Sequence, residues 1–89
     1  MRRIEYSTQF QRDVKRCQKR GKDLPKLKAM LEMIIADDEL PVRYRDHPLK
    51  GEWKGYRDAH VEPDWVLIYF ADASMVRFER TGTHSDLFD

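Results

Sequence analysis

Eighty-nine residues admit one domain, residues 1–89, and leave little room for a second core; a domain of this size buries only roughly 60 to 65% of its unfolded surface. The single cysteine, Cys17, excludes an internal disulfide, the longest apolar run, Trp65 to Ala71, is far too short to span a bilayer, and Met1-Arg2-Arg3-Ile4-Glu5-Tyr6 lacks the apolar stretch of a secretion signal, so a soluble cytoplasmic protein with no membrane role is expected. The net charge of +1 hides an asymmetry: residues 1–30 carry ten Lys or Arg against three Asp or Glu, and residues 31–89 carry seven against thirteen, so the first part can track phosphates while the second meets something else.

Arg3 to Tyr6 reads as a short first strand. Ser7 or Thr8 can cap a helix that runs to about Arg20, where Gly21 ends it. Within it, Phe10, Val14 and Cys17 share one face and mark the cysteine as a small core residue, while Arg12, Lys15, Arg16, Lys19 and Arg20 recur at three and four residue steps as one continuous cationic strip fit for a phosphate backbone. Leu24, Leu27, Leu31 and Ile34 give a second helix, with Pro25 tolerated in its first turn, ending near Asp37-Asp38-Glu39. From Pro41 the pattern changes to strands: Tyr44 to Leu49, Trp53 to Val61, Trp65 to Ala71 and Ser74 to Thr81. Glu62-Pro63-Asp64 makes a tight hairpin and Asp72-Ala73 another. Gly55, inside the second of these strands, implies a bulge or a close backbone approach. Trp65 to Phe70 is apolar on both faces and so central. The order is β-α-α-β-β-β-β: an α+β fold, a two-helix hairpin on a mainly antiparallel twisted sheet.

That order gathers the chemistry-bearing residues. Asp46 and His47 lie on or beside the first strand of the meander, His60 and Asp64 flank its middle hairpin, and Arg80 and His84 follow from the last strand. Taken singly, a histidine on a half-buried strand is an ordinary structural group. Three histidines in one half of the chain, with Asp64 and Arg80 beside them, are instead what metal-free cleavage of RNA needs: a group to take the 2′-hydroxyl proton, one to protonate the 5′-oxygen, and a cation for the phosphate. Trp65 and Phe88 divide evenly between core packing and stacking on bases; Trp53 and Tyr56 fall to the core or the sheet surface.

The run His47-Pro48-Leu49-Lys50-Gly51-Glu52-Trp53-Lys54-Gly55-Tyr56-Arg57-Asp58-Ala59-His60-Val61-Glu62-Pro63-Asp64-Trp65-Val66-Leu67-Ile68-Tyr69, followed by Arg77-Phe78-Glu79-Arg80-Thr81-Gly82-Thr83-His84-Ser85-Asp86-Leu87-Phe88, resembles the YafQ branch of the RelE/ParE toxin superfamily. The likeness is close over residues 44–88, and the basic, leucine-rich helices extend it over nearly the whole chain. It implies a RelE-like fold and the toxin of a type II toxin-antitoxin pair, a ribosome-dependent endoribonuclease acting on messenger RNA. It also implies catalytic or substrate-contacting roles for His47, His60, Asp64, Trp65, Arg80, His84 and Phe88. On this reading His84 is the general acid, His60 or Asp64, or the two together, take the 2′-proton, Arg80 stabilises the phosphorane, His47 orients or charges the site, and Trp65 and Phe88 position bases. No cofactor or metal is expected. The implied partners are a cognate antitoxin, the ribosome with its messenger, and operator DNA contacted through the antitoxin. The chain is less basic than many relatives.

Three readings compete. A non-catalytic gyrase-inhibiting module like the ParE branch needs no proton-transfer set. A DNA-binding module has only the basic strip behind it and no helix-turn-helix pattern. A metallohydrolase lacks the compact ligand spacings of a zinc site.

Overall fold

The structure, a computed structural model, describes residues 2–88. Strand β1 (Arg3–Tyr6) leads into helix α1 (Thr8–Lys19), then α2 (Leu24–Ile35). Ser7 makes the first junction: its Oγ accepts from the Phe10 amide at 2.9 Å and donates to the Glu79 carbonyl at 2.7 Å. One side chain thus caps α1 and ties its start to the sheet. Helix α1 closes at Gly21, with the Gly21 amide bonded to Gln18 O and the Lys22 amide to Cys17 O, so the carbonyls of its last turn are met within the chain.

The meander follows as β2 (His47–Pro48), β3 (Arg57–Glu62), β4 (Trp65–Ala71) and β5 (Met75–Gly82), ending in a short helix α3 (His84–Phe88). The five strands form one sheet in the order β1-β5-β4-β3-β2. All neighbours are antiparallel except β1 and β5, which run parallel. The α+β architecture and the central position of β4 stand as expected.

The ends of the early meander do not. The strand expected over Tyr44 to Leu49 is a 3₁₀ turn at Val42–Tyr44 and only two paired residues, His47–Pro48. Pro41 and Pro48 lack amide donors, and Arg45 sits in the left-handed region at φ 49°, so no continuous ladder can form. The strand expected from Trp53 begins only at Arg57. Trp53 closes a second 3₁₀ turn and Gly55 lies in a turn at φ 96°, not within a strand. The sheet's irregularities fall elsewhere, at the His60/Glu62 step of β3 and opposite Ile68/Tyr69 in β5.

Both faces of the sheet are covered, unequally. Phe10, Cys17, Leu27, Met30 and Ile34 from the helices pack with Ala59, Val61, Trp65, Leu67, Tyr69, Val76 and Phe78. On the other face Val66, Ile68 and Leu87 form a smaller cluster with Leu49, Trp53 and Tyr56 around it. Trp65 belongs to the first core and has no exposed surface. Its indole N–H donates to Thr81 Oγ1 at 3.0 Å, so the side chain gains apolar burial, roughly 1.5 to 3 kcal/mol for a large residue, without stranding its donor. That corrects the base-positioning role expected of Trp65: with no exposed surface, the ring has no face to offer.

Helix α3 lay beyond the expected elements. Thr83 and Asp86 cap it reciprocally: Asp86 N donates to Thr83 Oγ1 at 3.1 Å and Thr83 N to Asp86 Oδ2 at 2.9 Å. Gly82 allows the close return, since a Cβ there would come within 2.8 Å of Asp86 Oδ2.

Candidate active site

Strand alternation puts Asp58 and His60, two residues apart on β3, on the face away from α1 and α2. His47 pairs directly with Asp58 across β2 and β3, and the β5–α3 junction brings His84 to the same place. The result is a row of rings. His47 and His60 lie 6.3 Å apart by centroid, His60 and His84 5.4 Å, and His84 and Phe88 6.2 Å. Phe88, at the end of the row, is 43% exposed and keeps a face open to solvent.

Two of the imidazoles are oriented by their backs. Asp64 Oδ1 accepts from the His84 amide at 3.0 Å and from His84 Nδ1 at 2.6 Å. These two hydrogen bonds, the backbone one foremost, hold the Asp64 carboxyl below the ordinary aspartate range, so it is an ionised acceptor and Nδ1 carries the proton. His47 Nδ1 lies 2.8 Å from the Arg45 carbonyl, which can only accept, so that nitrogen is protonated too. In both rings Nε2 is left for other partners.

Beneath the row sits Asp58, 4% exposed. Its Oδ1 is 3.0 Å from His47 Nδ1 yet has no hydrogen bond, because that N–H is directed to the Arg45 carbonyl; His60 Nδ1 is likewise buried without a partner. Burial pushes the Asp58 carboxyl up from its ordinary value, against the pull of His47, His60 and His84. Orphaned buried polar atoms are rare, and a pair of them among three imidazoles is how sites that bind or transfer protons are built.

Arg80 is placed differently from the expectation. Its Nε and Nη2 bond the buried Asp13 carboxylate at 2.7 and 3.3 Å. Among the described residues, no hydrogen bond, ion pair or ring contact joins it to the histidines. The cationic strip is also divided. Arg16 pairs with Asp13 at 2.9 Å and lies 3.6 Å from Asp86, while Arg20 holds Asp86 at 2.7 Å. The Arg20 hydrogen bond, with burial opposing it, drives the Asp86 carboxyl far below its usual range. Only Arg12, Lys15 and Lys19 point outward, with no partner among the described residues. Three carboxylates therefore shape the region unseen in the sequence: Asp58, Asp13 and Asp86. The two-residue step from Asp58 to His60 and the Thr83-x-x-Asp86 capping pattern were the available signals.

Comparison with known proteins shows the family and the fold. The model of a family described as bacterial toxin of type II toxin-antitoxin system, YafQ, matches residues 2–89. The chain belongs to the YafQ toxin family. The mRNA interferase toxin YafQ of Escherichia coli strain K12 is 59% identical over 88 residues, 98% of this chain and 96% of the relative. The crystal structure of YafQ from E. coli BL21(DE3) superposes with a TM-score of 0.98 at 57% identity over the whole of both chains. YafQ in the E. coli DinJ-YafQ toxin-antitoxin complex gives 0.94 at 58% identity, over 99% of this chain and 98% of that one. A metal-bound toxin from Helicobacter pylori shares the fold at a TM-score of 0.90 and 37% identity, over 99% and 100% of the two chains. The fold is thus the RelE-like one that the resemblance implied. Among the described residues, no three His, Cys, Asp or Glu side chains converge as a metal-binding group, and no helix is long and apolar enough to cross a membrane.

Proposed function

We propose that this YafQ-family toxin is a ribosome-dependent endoribonuclease that cuts translated messenger RNA without a catalytic metal. The observation that carries the reading is the row of three imidazoles whose outer members are both held from behind at Nδ1. Such a row can remove one proton and supply another on opposite sides of a phosphate. The messenger 2′-oxygen attacks the adjacent phosphorus as its proton passes to the base. The bond to the 5′-oxygen breaks as the acid protonates it, leaving a 2′,3′-cyclic phosphate and a 5′-hydroxyl.

His84 acts as the acid through Nε2. Asp64, tied to His84 by two hydrogen bonds, is better suited to fix that tautomer than to act as the base, which assigns the 2′-proton to His60. His47 adds charge and orientation. Arg80 commits Nε and Nη2 to Asp13 and retains Nη1, the group available to a phosphorane oxygen. Phe88 stacks a base. The partners are a cognate antitoxin, the ribosome and its message, and, through the antitoxin, operator DNA; the compartment is the cytoplasm.

The experiment is inducible expression in a bacterial host with mapping of messenger 5′-ends, with and without a co-expressed antitoxin. In-frame cuts inside translated regions, suppressed by the antitoxin, are the expected result. Arrested growth with intact messages and stalled DNA replication would favour the gyrase-inhibiting reading. Metal independence is checked separately: purified toxin stripped of bound metal should keep its activity once ribosomal magnesium is restored, and stoichiometric zinc or copper whose removal abolishes cleavage would overturn it.

A further inference from the structure

Beside the histidine row lies a groove of about 500 Å³ whose walls include Lys26, Arg43, Tyr44, Arg45, His60 and Glu62. It exists because β2 pairs only with Arg57 and Asp58, so β3 carries no outer strand along His60 to Glu62, and the 3₁₀ turn at Val42–Tyr44 stands across the gap. Its charge is not neutralised from within. Glu62, the groove's carboxylate, is met by Lys26 at 3.1 Å and by Lys22 at 3.7 Å. Arg43 lies over the Tyr44 ring at 4.7 Å and donates to its hydroxyl at 3.2 Å. Both Arg43 and Arg45 are exposed, and no carboxylate among the described residues pairs with either.

Arg45 carries a second signature. Its φ of 49° is unusual for a residue with a side chain, and such strain persists where the surroundings require it. Here the strained peptide aims the Arg45 carbonyl at His47 Nδ1. One residue therefore orients a member of the row and supplies a free guanidinium to the groove next door.

Resting on the ribonuclease reading above, we propose that this groove holds one nucleotide of single-stranded RNA adjacent to the cut, with the phosphate of that neighbouring linkage bound by Arg43 and Arg45. His60 is shared by the row and the groove, so a strand whose scissile phosphate meets His60 has its next linkage at the groove. Two guanidinium forks with no protein carboxylate to satisfy them match phosphate oxygens in charge and geometry. An acidic peptide would satisfy the same charges but has no reason to run through a reacting histidine.

The test is single-turnover cleavage on programmed ribosomes at varied toxin concentration, using messages in which the linkage on one or other side of the scissile bond is a neutral methylphosphonate. Wild type is compared with the double variant Arg43→Gln, Arg45→Asn. Asparagine tolerates the left-handed backbone and leaves the carbonyl on His47 in place. One of the two neutral linkages is expected to raise the half-saturating concentration of wild type by about tenfold, the scale of one charge-assisted phosphate contact. The same linkage should cost the double variant nothing more, because the loss is already present with unmodified message. Equal losses in both proteins, or no effect of either linkage, would overturn the groove assignment while leaving the ribonuclease reading intact. Wild type failing to cut unmodified message on ribosomes would instead sink that reading, and the groove with it.

Discussion

A buried carboxylate lies on each side of the sheet, and the two are treated in opposite ways. Asp13, on α1 against the covered face, has no exposed surface and takes hydrogen bonds from Arg80, Arg16 and the Thr81 amide. Asp58, on the face that carries the histidines, is nearly as buried and leaves Oδ1 without a hydrogen bond. A satisfied buried charge fixes one arrangement of its partners; an unsatisfied one keeps its interaction energy in reserve. The covered face thus stabilises the molecule, and the open face gives up stability for groups poised to bind or to move protons.

Substitution of His84 gives the largest expected effect and tests the open face directly. His84→Ala should leave ribosome association intact and lower the single-turnover cleavage rate by roughly 10²- to 10⁴-fold, the contribution of a positioned acid or base. The ring is half exposed, so the fold should tolerate its loss. A variant that binds poorly yet cleaves normally at saturation would make His84 a docking residue. Asp13→Ala is the counterpart on the covered face. It leaves Arg80 and the Thr81 amide without their carboxylate, and removing one partner of a buried pair costs about 3 to 5 kcal/mol. Thermal unfolding should register this at once, and a melting temperature like that of wild type would mean that the two faces do not divide the labour in this way.

What the chain's pattern disclosed divides along similar lines. Long, periodic segments were legible: α1, α2, β4 and β5 fall within about a residue or two of where alternation and caps put them, because many side chains vote for one face. Segments of two to five residues were not. His47–Pro48 is too short for a period, and α3 offers only its Thr83 and Asp86 cap. The histidines could be picked out because imidazoles are scarce and chemically distinct. Asp58 was harder to single out among sixteen acidic residues: its two-residue step to His60 puts it on the histidine face, but nothing in the pattern reveals its burial. Trp65 went to the core because an indole inside an apolar strand gains more from burial than from exposure, and Thr81 was there to accept its N–H.

The unsatisfied carboxylate has a pH signature. Burial raises the Asp58 carboxyl above its ordinary range, so the native state favours its protonated form more than the unfolded chain does. Stability tied to Asp58 is therefore present at low pH. It is lost as pH rises from the ordinary aspartate range, near pH ~4, through the raised native value. Attraction to His47, His60 and His84 offsets part of that loss without cancelling it, since burial is the larger influence. Asp58→Asn should consequently melt above wild type at pH 8 and lose that advantage by pH 5. A wild type that is the more stable protein at pH 8 would mean that Asp58 is better supported than its geometry indicates.

The smallest expected effect separates the two edges of α1, which the sequence presents as a single strip. Arg12, Lys15 and Lys19 face outward and are free to release counterions on meeting ribosomal RNA, whereas Arg16 and Arg20 are engaged by Asp13 and Asp86. Reversing Lys15 and Lys19 to Glu should weaken association several-fold and flatten its salt dependence by roughly one unit of slope for each phosphate no longer neutralised, with the chemical step little changed. Reversing Arg16 and Arg20 should act through the fold instead. Asp86 also caps α3, and α3 carries His84 and Phe88, so loosening that clamp should lower the cleavage rate at saturation while the salt slope stays near that of wild type. Association measured at several salt concentrations, beside single-turnover cleavage, tells the two apart. If both pairs change the salt slope equally, the ion pairs with Asp13 and Asp86 open on the ribosome, and the strip is continuous where it matters.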